Sequence, residues 1–160
     1  LSRDPAVQRN IARLADYGFS FDLQIFTDQM PGALDLLDAC PRVPFILQHA
    51  GMLEDLSPLG CARWREAMAA YAKRPNAYAK LSGLGTFLHR NDPAHIAWIV
   101  GETVSLLGAN RCLYGSNFPI EKLWTDYPSL FAAYQSAAAG LSATDVRAIF
   151  NDTASRVYRL

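Results

Sequence analysis

An α/β fold built on a parallel sheet is predicted by three observations. Four short apolar segments alternate with helical ones along the 160 residues. Every connection between apolar segments is too long for a hairpin and long enough for a crossover helix. A hydrophobic content of 51% suits a chain that folds around a real core rather than a disordered one.

The first element is a helix. In "RDPAVQRNIARLADYG", Asp4 is a candidate N-cap, Pro5 takes the first helical position, Val7, Ile11 and Leu14 share one face, and Gly18 ends it. "FSFDLQIF", Phe19 to Phe26, alternates large apolar side chains with Asp22 and Gln24 and predicts a strand. Pro31 opens a short helix through Leu36 and Leu37 that closes before Pro41, and "FILQHAG", Phe45 to Gly51, is the second strand. Trp64, Met68 and Tyr71 mark a helix from about Cys61 to Lys73, and "NAYAKLSG" from Asn76 gives the third strand. Asn91 or Asp92 caps the next helix with Pro93 inside its start. Ile96, Ile99, Val100, Val104 and Leu107 form its apolar stripe, ended by Gly108. "RCLYGSN", from Arg111, is the fourth strand. Asp126 and Pro128 open a further helix, and Ser142 with Asp145 makes a capping-box-like start for a last one carrying Val146, Ile149 and Phe150.

Composition removes several function classes. Fifteen basic and fifteen acidic residues give a formal net charge of zero with no run of either sign, which argues against nucleic acid or a membrane surface as partner. Apolar stretches fall short of a membrane span, and the N-terminus lacks the build of a signal peptide, so a cytoplasmic location is expected. Cys40, Cys61 and Cys112 are widely spaced and odd in number, which predicts reduced thiols rather than a disulfide framework or a CxxC zinc site. No GxGxxG, Walker loop, HExxH or GxSxG occurs.

In parallel sheets the ligand sits beyond the carboxyl ends of the strands, which makes Gln24, His49, Lys80 with Ser82, and Asn117 the candidate site. Alternation places Asp22 with Gln24, Leu47 with His49, Tyr78 with Lys80 and Ser82, and Leu113 with Gly115 and Asn117. Each has a plainer reading. His49 is either a core histidine bonded to a carbonyl or a strand-end base with Ala50 and Gly51 leaving room for a ligand. Lys80 either snorkels out or meets an anion, because an unpaired buried ammonium is costly. Gln24 either bonds neighbouring backbone or binds substrate, and Asn117 either caps a turn with Ser116 or points into a pocket.

Taken together, "YGFSFDLQ", "CPRVPFILQHAGM", "PNAYAKLSGLG", "RCLYGSNFPIEKLW" and "IFNDTASRVYRL" resemble the amidohydrolase-2 family of predicted metal-dependent hydrolases, TIM-barrel relatives of the lactonases. The resemblance runs over essentially the whole chain and implies a single partial domain over residues 1–160. It would be the C-terminal half, strands five to eight, of a (β/α)8 barrel, with the N-terminal half absent.

It implies a lactonase-type hydrolase acting on a small-molecule substrate through an activated water, with the isolated chain inactive. His49 would be metal ligand or base, Asn117 catalytic, and Gln24, Lys80 and Ser82 substrate-binding. One divalent metal, zinc or manganese, is implied, with a metal-independent route equally open. The chain has no HxH motif, Asn117 stands where many relatives carry aspartate, and Gln24 stands where metal-dependent members place a histidine. Two alternatives remain: a TIM-barrel decarboxylase of an unsaturated or aromatic acid, or a catalytically incomplete half-barrel that binds ligand or dimerises through its exposed sheet edges, a homo-oligomer in either case being compatible.

Overall fold

The computed structural model describes residues 1–160. Strands β1 (Phe21–Leu23), β2 (Phe45–Leu47), β3 (Ala77–Leu81) and β4 (Cys112–Tyr114) form one parallel sheet in sequence order. Phe21 lies beside Phe45, Phe45 beside Ala77, and Ala79 beside Cys112. Helices α1 (Pro5–Ala12), α2 (Met30–Ala39), α3 (Pro58–Ala72), α4 (Pro93–Leu107) and α5 (Tyr127–Ala138) are interleaved with the strands, and α6 (Ala143–Arg147) and α7 (Thr153–Tyr158) end the chain.

Local chemistry sets the helix starts. Asp4, Asp92 and Asp126 accept the backbone N–H of Ala6, His95 and Ser129 at 2.7, 3.1 and 2.8 Å, and Ser142 accepts that of Asp145 at 3.1 Å. Helix α3 starts three residues before the expected Cys61, because Ser57 caps it by accepting the Gly60 N–H at 3.1 Å and Pro58 takes its first position. The single last helix expected after Ser142 is interrupted by a π-helical turn, Ala148–Asp152, between α6 and α7.

The strands are shorter than their apolar runs. Only three to five residues of each stay in the ladder. Gln24, Ser82 with Gly83, and the segment from Gly115 to Asn117 leave the sheet as loops at its carboxyl edge, and Gln48–Gly51 leaves it as a kinked 3-10 turn.

The two faces are covered differently. Phe45, Leu47, Ala79, Leu81 and Cys112 pack under α2 to α5 against side chains such as Leu37, Trp64, Met68, Ile96 and Leu130. The Tyr71 hydroxyl ties α3 to the sheet by donating to the Phe45 or Tyr78 carbonyl, each 3.0 Å away. On the other face, Ile46 and Leu113 are closed over by Val157 of α7, with Tyr78, Ala154 and Tyr158 around them. That second face is the one that carries Asp22, Lys80 and Ser82 by register and alternation. All three cysteines are free. No helix is long and apolar enough to cross a membrane.

Candidate active site

The site is built where the chain breaks out of strand geometry. After Leu47 the backbone turns left-handed at His49 (φ 54°, ψ 36°) and Ala50 (φ 48°, ψ 36°), and Gly51 and Met52 also have positive φ. Each such L residue costs roughly 1–2 kcal/mol, so the surroundings must hold the turn. They do so through the Trp64 indole N–H, which donates to the Ala50 carbonyl at 2.8 Å.

This break corrects the face expected for His49. Leu47 is buried against the helices, and continued alternation would send His49 the same way. The left-handed turn instead brings the imidazole to the end of β3, where Nδ1 lies 2.9 Å from the Ser82 hydroxyl. Ser82 is 2% exposed, and Gly83 beside it has φ 61°. A Cβ on Gly83 would stand 2.5 Å from His49 Nδ1, so only glycine admits the ring here.

Burial pushes the His49 imidazole below its ordinary value, and the Lys80 ammonium adds to this. The hydrogen bond at Ser82 and the Glu121 carboxylate pull it back up. The ring is therefore neutral at neutral pH, able to accept a proton or a metal.

Lys80 lies one layer below Ser82. Its Nζ is 3.8 Å from Asp22 Oδ2 and 3.3 Å from the Tyr158 hydroxyl, which itself donates to Asp22 Oδ1 at 2.8 Å. Lys80 is thus neither unpaired nor free to snorkel: α7 brings Tyr158 across the sheet to complete a cluster with Asp22. A Cβ on Gly115 would come within 3.1 Å of Lys80 Cε and 3.3 Å of Ser82 Cβ, which places the glycine just after β4 directly against both.

Asn117 is the third break from strand geometry, at φ 54°, followed by a cis Phe118–Pro119 bond. Its Nδ2 donates to Glu121 Oε1 at 3.3 Å. Glu121 is 0% exposed and also accepts from the Trp124 indole at 2.6 Å and the Thr86 hydroxyl at 3.4 Å.

The structure thus gathers His49, Ser82, Lys80 and Asn117 at the carboxyl ends of β2, β3 and β4. It does not bring Gln24 to them. Gln24 is exposed and lines a groove of about 910 Å³ along the free side of β1, together with Phe21, Leu23 and Ile25. That groove follows an unpaired strand edge; Asp22 of the Lys80 cluster borders it, but His49, Ser82, Lys80 and Asn117 do not.

Three residues went unmarked in the sequence. Glu121 and Tyr158 look like ordinary surface side chains. His95, near the start of α4, borders with His49 a cavity of about 10 Å³ closed by Leu84 and Ile99, and burial pushes its imidazole below the ordinary value too. The sequence signal that was available for Glu121 is its spacing from Asn117, one helical turn apart.

No group of three or more His, Cys, Asp or Glu side chains in the chain is placed to hold a metal ion. His49 offers one nitrogen, since Nδ1 is engaged by Ser82, and the Asn117 amide nitrogen faces Glu121. The residues of this chain therefore do not by themselves fit a divalent cation.

The Amidohydrolase family model matches residues 1–160. An uncharacterized protein, y4mH, of Sinorhizobium fredii is 35% identical over 160 residues, 100% of this chain and 54% of its own length. The L-fucono-1,5-lactonase of Burkholderia multivorans is 30% identical over 171 residues, 98% of this chain and 57% of its own length. A crystal structure of an amidohydrolase from Burkholderia multivorans with bound HEPES superposes with a TM-score of 0.93 at 26% identity, covering 99% of this chain and 59% of that one. A second crystal form of that amidohydrolase, with bound zinc, gives a TM-score of 0.92. The chain spans little more than half the length of these relatives, so its four-stranded sheet corresponds to part of their barrel. With its whole length matched, the chain belongs to the amidohydrolase family.

Proposed function

We propose that the full-length protein is a hydrolase that opens a lactone or a related cyclic ester, with His49 as the group that moves the proton. The observation that carries this reading is the His49–Ser82 contact, which sets a half-buried, neutral imidazole at the carboxyl edge of a parallel sheet. The similarity to lactonases and to amidohydrolases of known structure supports it.

The chemistry runs as an addition and an elimination. A water oxygen forms a bond to the lactone carbonyl carbon while its proton passes to His49, whose Nε2 is left free by the Ser82 contact at Nδ1. The tetrahedral carbon then expels the ring oxygen, the ring C–O bond breaks, and the proton on His49 passes to the departing alkoxide. Water is consumed and a hydroxy acid is released.

Ser82 fixes the ring orientation. Lys80, held in the cluster with Asp22 and Tyr158, disfavours the imidazolium before substrate arrives and so keeps the ring a base. Asn117 presents an amide to water or substrate from the end of β4.

The test is His49→Ala in the full-length protein, assayed with sugar-acid lactones. Turnover should fall about 10²- to 10⁴-fold, the range for a positioned acid–base group. An H49A variant with wild-type turnover would remove His49 from the reaction.

A further inference from the structure

We propose that Glu121 is a positioning residue whose buried carboxylate fixes the rotation of the Asn117 amide, so that Asn117 offers an acceptor, Oδ1, to the site. The proposal rests on the reading that this site hydrolyses a substrate with water, and it adds a residue that never touches that substrate.

A carboxylate has only acceptor oxygens, whereas an amide has one acceptor end and one donor end. Three donors converge on the two oxygens of Glu121: Asn117 Nδ2 at 3.3 Å, the Thr86 hydroxyl at 3.4 Å and the Trp124 indole at 2.6 Å. Glu121 is wholly buried, and removing such a group from water is tolerated only where donors replace the lost hydration. Its partner at position 117 must therefore show NH₂, not C=O, toward it. The amide then has its oxygen turned away from Glu121, where it accepts no hydrogen bond from the chain.

The backbone reinforces this. The Glu121 N–H donates to the Asn117 carbonyl at 3.2 Å, so the two residues are joined through both main chain and side chain. Gly85 lets the carboxylate lie against the loop after β3, since a Cβ there would stand 3.0 Å from Glu121 Oε2. The β3 and β4 loops thus meet on one carboxylate.

The consequence is a division of labour. Glu121 keeps Asn117 in its left-handed conformation with Oδ1 as a fixed acceptor, which holds the second hydrogen of the attacking water while His49 takes the first.

A polarity swap in the full-length protein tests the idea. Glu121→Gln puts a two-ended amide beside Asn117 and no longer dictates its rotation, so kcat should fall about a hundredfold, the cost of misplacing a reacting group by an ångström, with KM little changed. N117D sets two carboxylates against each other and should lower kcat as well. The double variant N117D/E121Q exchanges donor and acceptor across the pair and should recover at least about tenfold over E121Q, because a charge-assisted contact is restored.

A double variant no better than the product of the singles, or an E121Q variant with wild-type kcat, would overturn the proposal. The second readout does not depend on turnover. In ¹⁵N spectra of the full-length protein, the Asn117 side-chain NH₂ pair should be slow to exchange and should lose that protection in E121Q. An unchanged pair overturns the positioning role even if no lactone is opened, whereas a protected pair without lactone turnover would count against the reaction and leave the positioning intact. Should E121Q fail to fold, Glu121→Asp, which shortens the reach, carries the same two expectations.

Discussion

Gly83→Ala is the sharpest perturbation of the site that leaves its functional groups in place. Gly83 has φ 61°, so an alanine there carries roughly 1–2 kcal/mol of left-handed backbone cost. Its Cβ would also stand 2.5 Å from His49 Nδ1, far inside contact distance, so the imidazole has to leave the Ser82 hydroxyl. The lost hydrogen bond adds about 1 kcal/mol. Against this, alanine reduces the freedom of the unfolded chain and returns about 0.4–1 kcal/mol. A net destabilisation of about 1–2.5 kcal/mol remains, a visible share of the roughly 5–15 kcal/mol typical of a folded protein. Turnover should fall by more than stability does, since a shift of about 1 Å in a reacting group costs on the order of a hundredfold. The assay is urea unfolding of the full-length variant beside its lactone turnover, compared at equal m-value. A G83A protein that unfolds at the wild-type midpoint and turns over at the wild-type rate would show that His49 does not need the space under Gly83.

The titratable groups give two further outcomes. His49 and His95 are both held below the ordinary histidine value of 6.5 by burial, so the base form of His49 persists and the acid limb of kcat/KM should have its midpoint below pH 6.5; a midpoint above it would contradict the burial. The same sign governs stability: protonation is easier in the unfolded chain, so the contribution of these rings is intact above pH 6.5 and is lost as pH falls through their folded values, which a urea midpoint measured against pH would trace. Cys112 is sealed in the core with its thiol pushed up to about 12, and Cys40 is buried and raised as well, whereas Cys61 is partly exposed. Brief alkylation at pH 8 with subsequent peptide mapping should label Cys61 alone, and labelling of Cys112 before denaturation would refute its packing.

Much of the fold was legible because its signals are local. Asp4, Asp92, Asp126 and Ser142 cap the helices they were expected to cap, each within its own turn. The start of α3 was missed although Ser57 and Pro58 announced it, because the apolar face of that helix begins only at Trp64. Strand ends were over-extended at Gln24, His49 and Asn117 for one reason. Residue type does not mark the point where the backbone leaves the ladder, and a two-residue period cannot show a residue turning left-handed, as His49 and Asn117 do. His49 consequently reached the site by a different route from the one its alternation implied. Glu121 was legible only through its four-residue spacing from Asn117: between Pro119 and Trp124 it looks like a solvated charge, and its contact with Thr86 reaches 35 residues away in sequence.

Positive φ is concentrated at one edge of the sheet. Six residues other than glycine adopt it, and four of them, His49, Ala50, Met52 and Asn117, lie just after β2 or β4, with His89 in the segment between β3 and α4. The sheet itself is regular, so the backbone cost falls at its carboxyl edge. Packing alone does not require this, since a strand ending in an ordinary turn would bury Leu47 or Leu113 equally well. What the left-handed turns achieve is a change of direction: they carry His49 from the helix side to Ser82, and they set Asn117 over Glu121. Each turn is held by one buried polar contact from a neighbouring element, Trp64 for Ala50 and Glu121 for Asn117. Relaxing either turn carries a cost, because it would leave the Trp64 indole without its acceptor or take one of three donors from the buried Glu121 carboxylate. Strain that the surrounding structure over-determines at the mouth of a parallel sheet is the pattern expected of a preorganised catalytic site, and it is the reason to look for chemistry at His49 and Asn117 rather than along the larger groove beside β1.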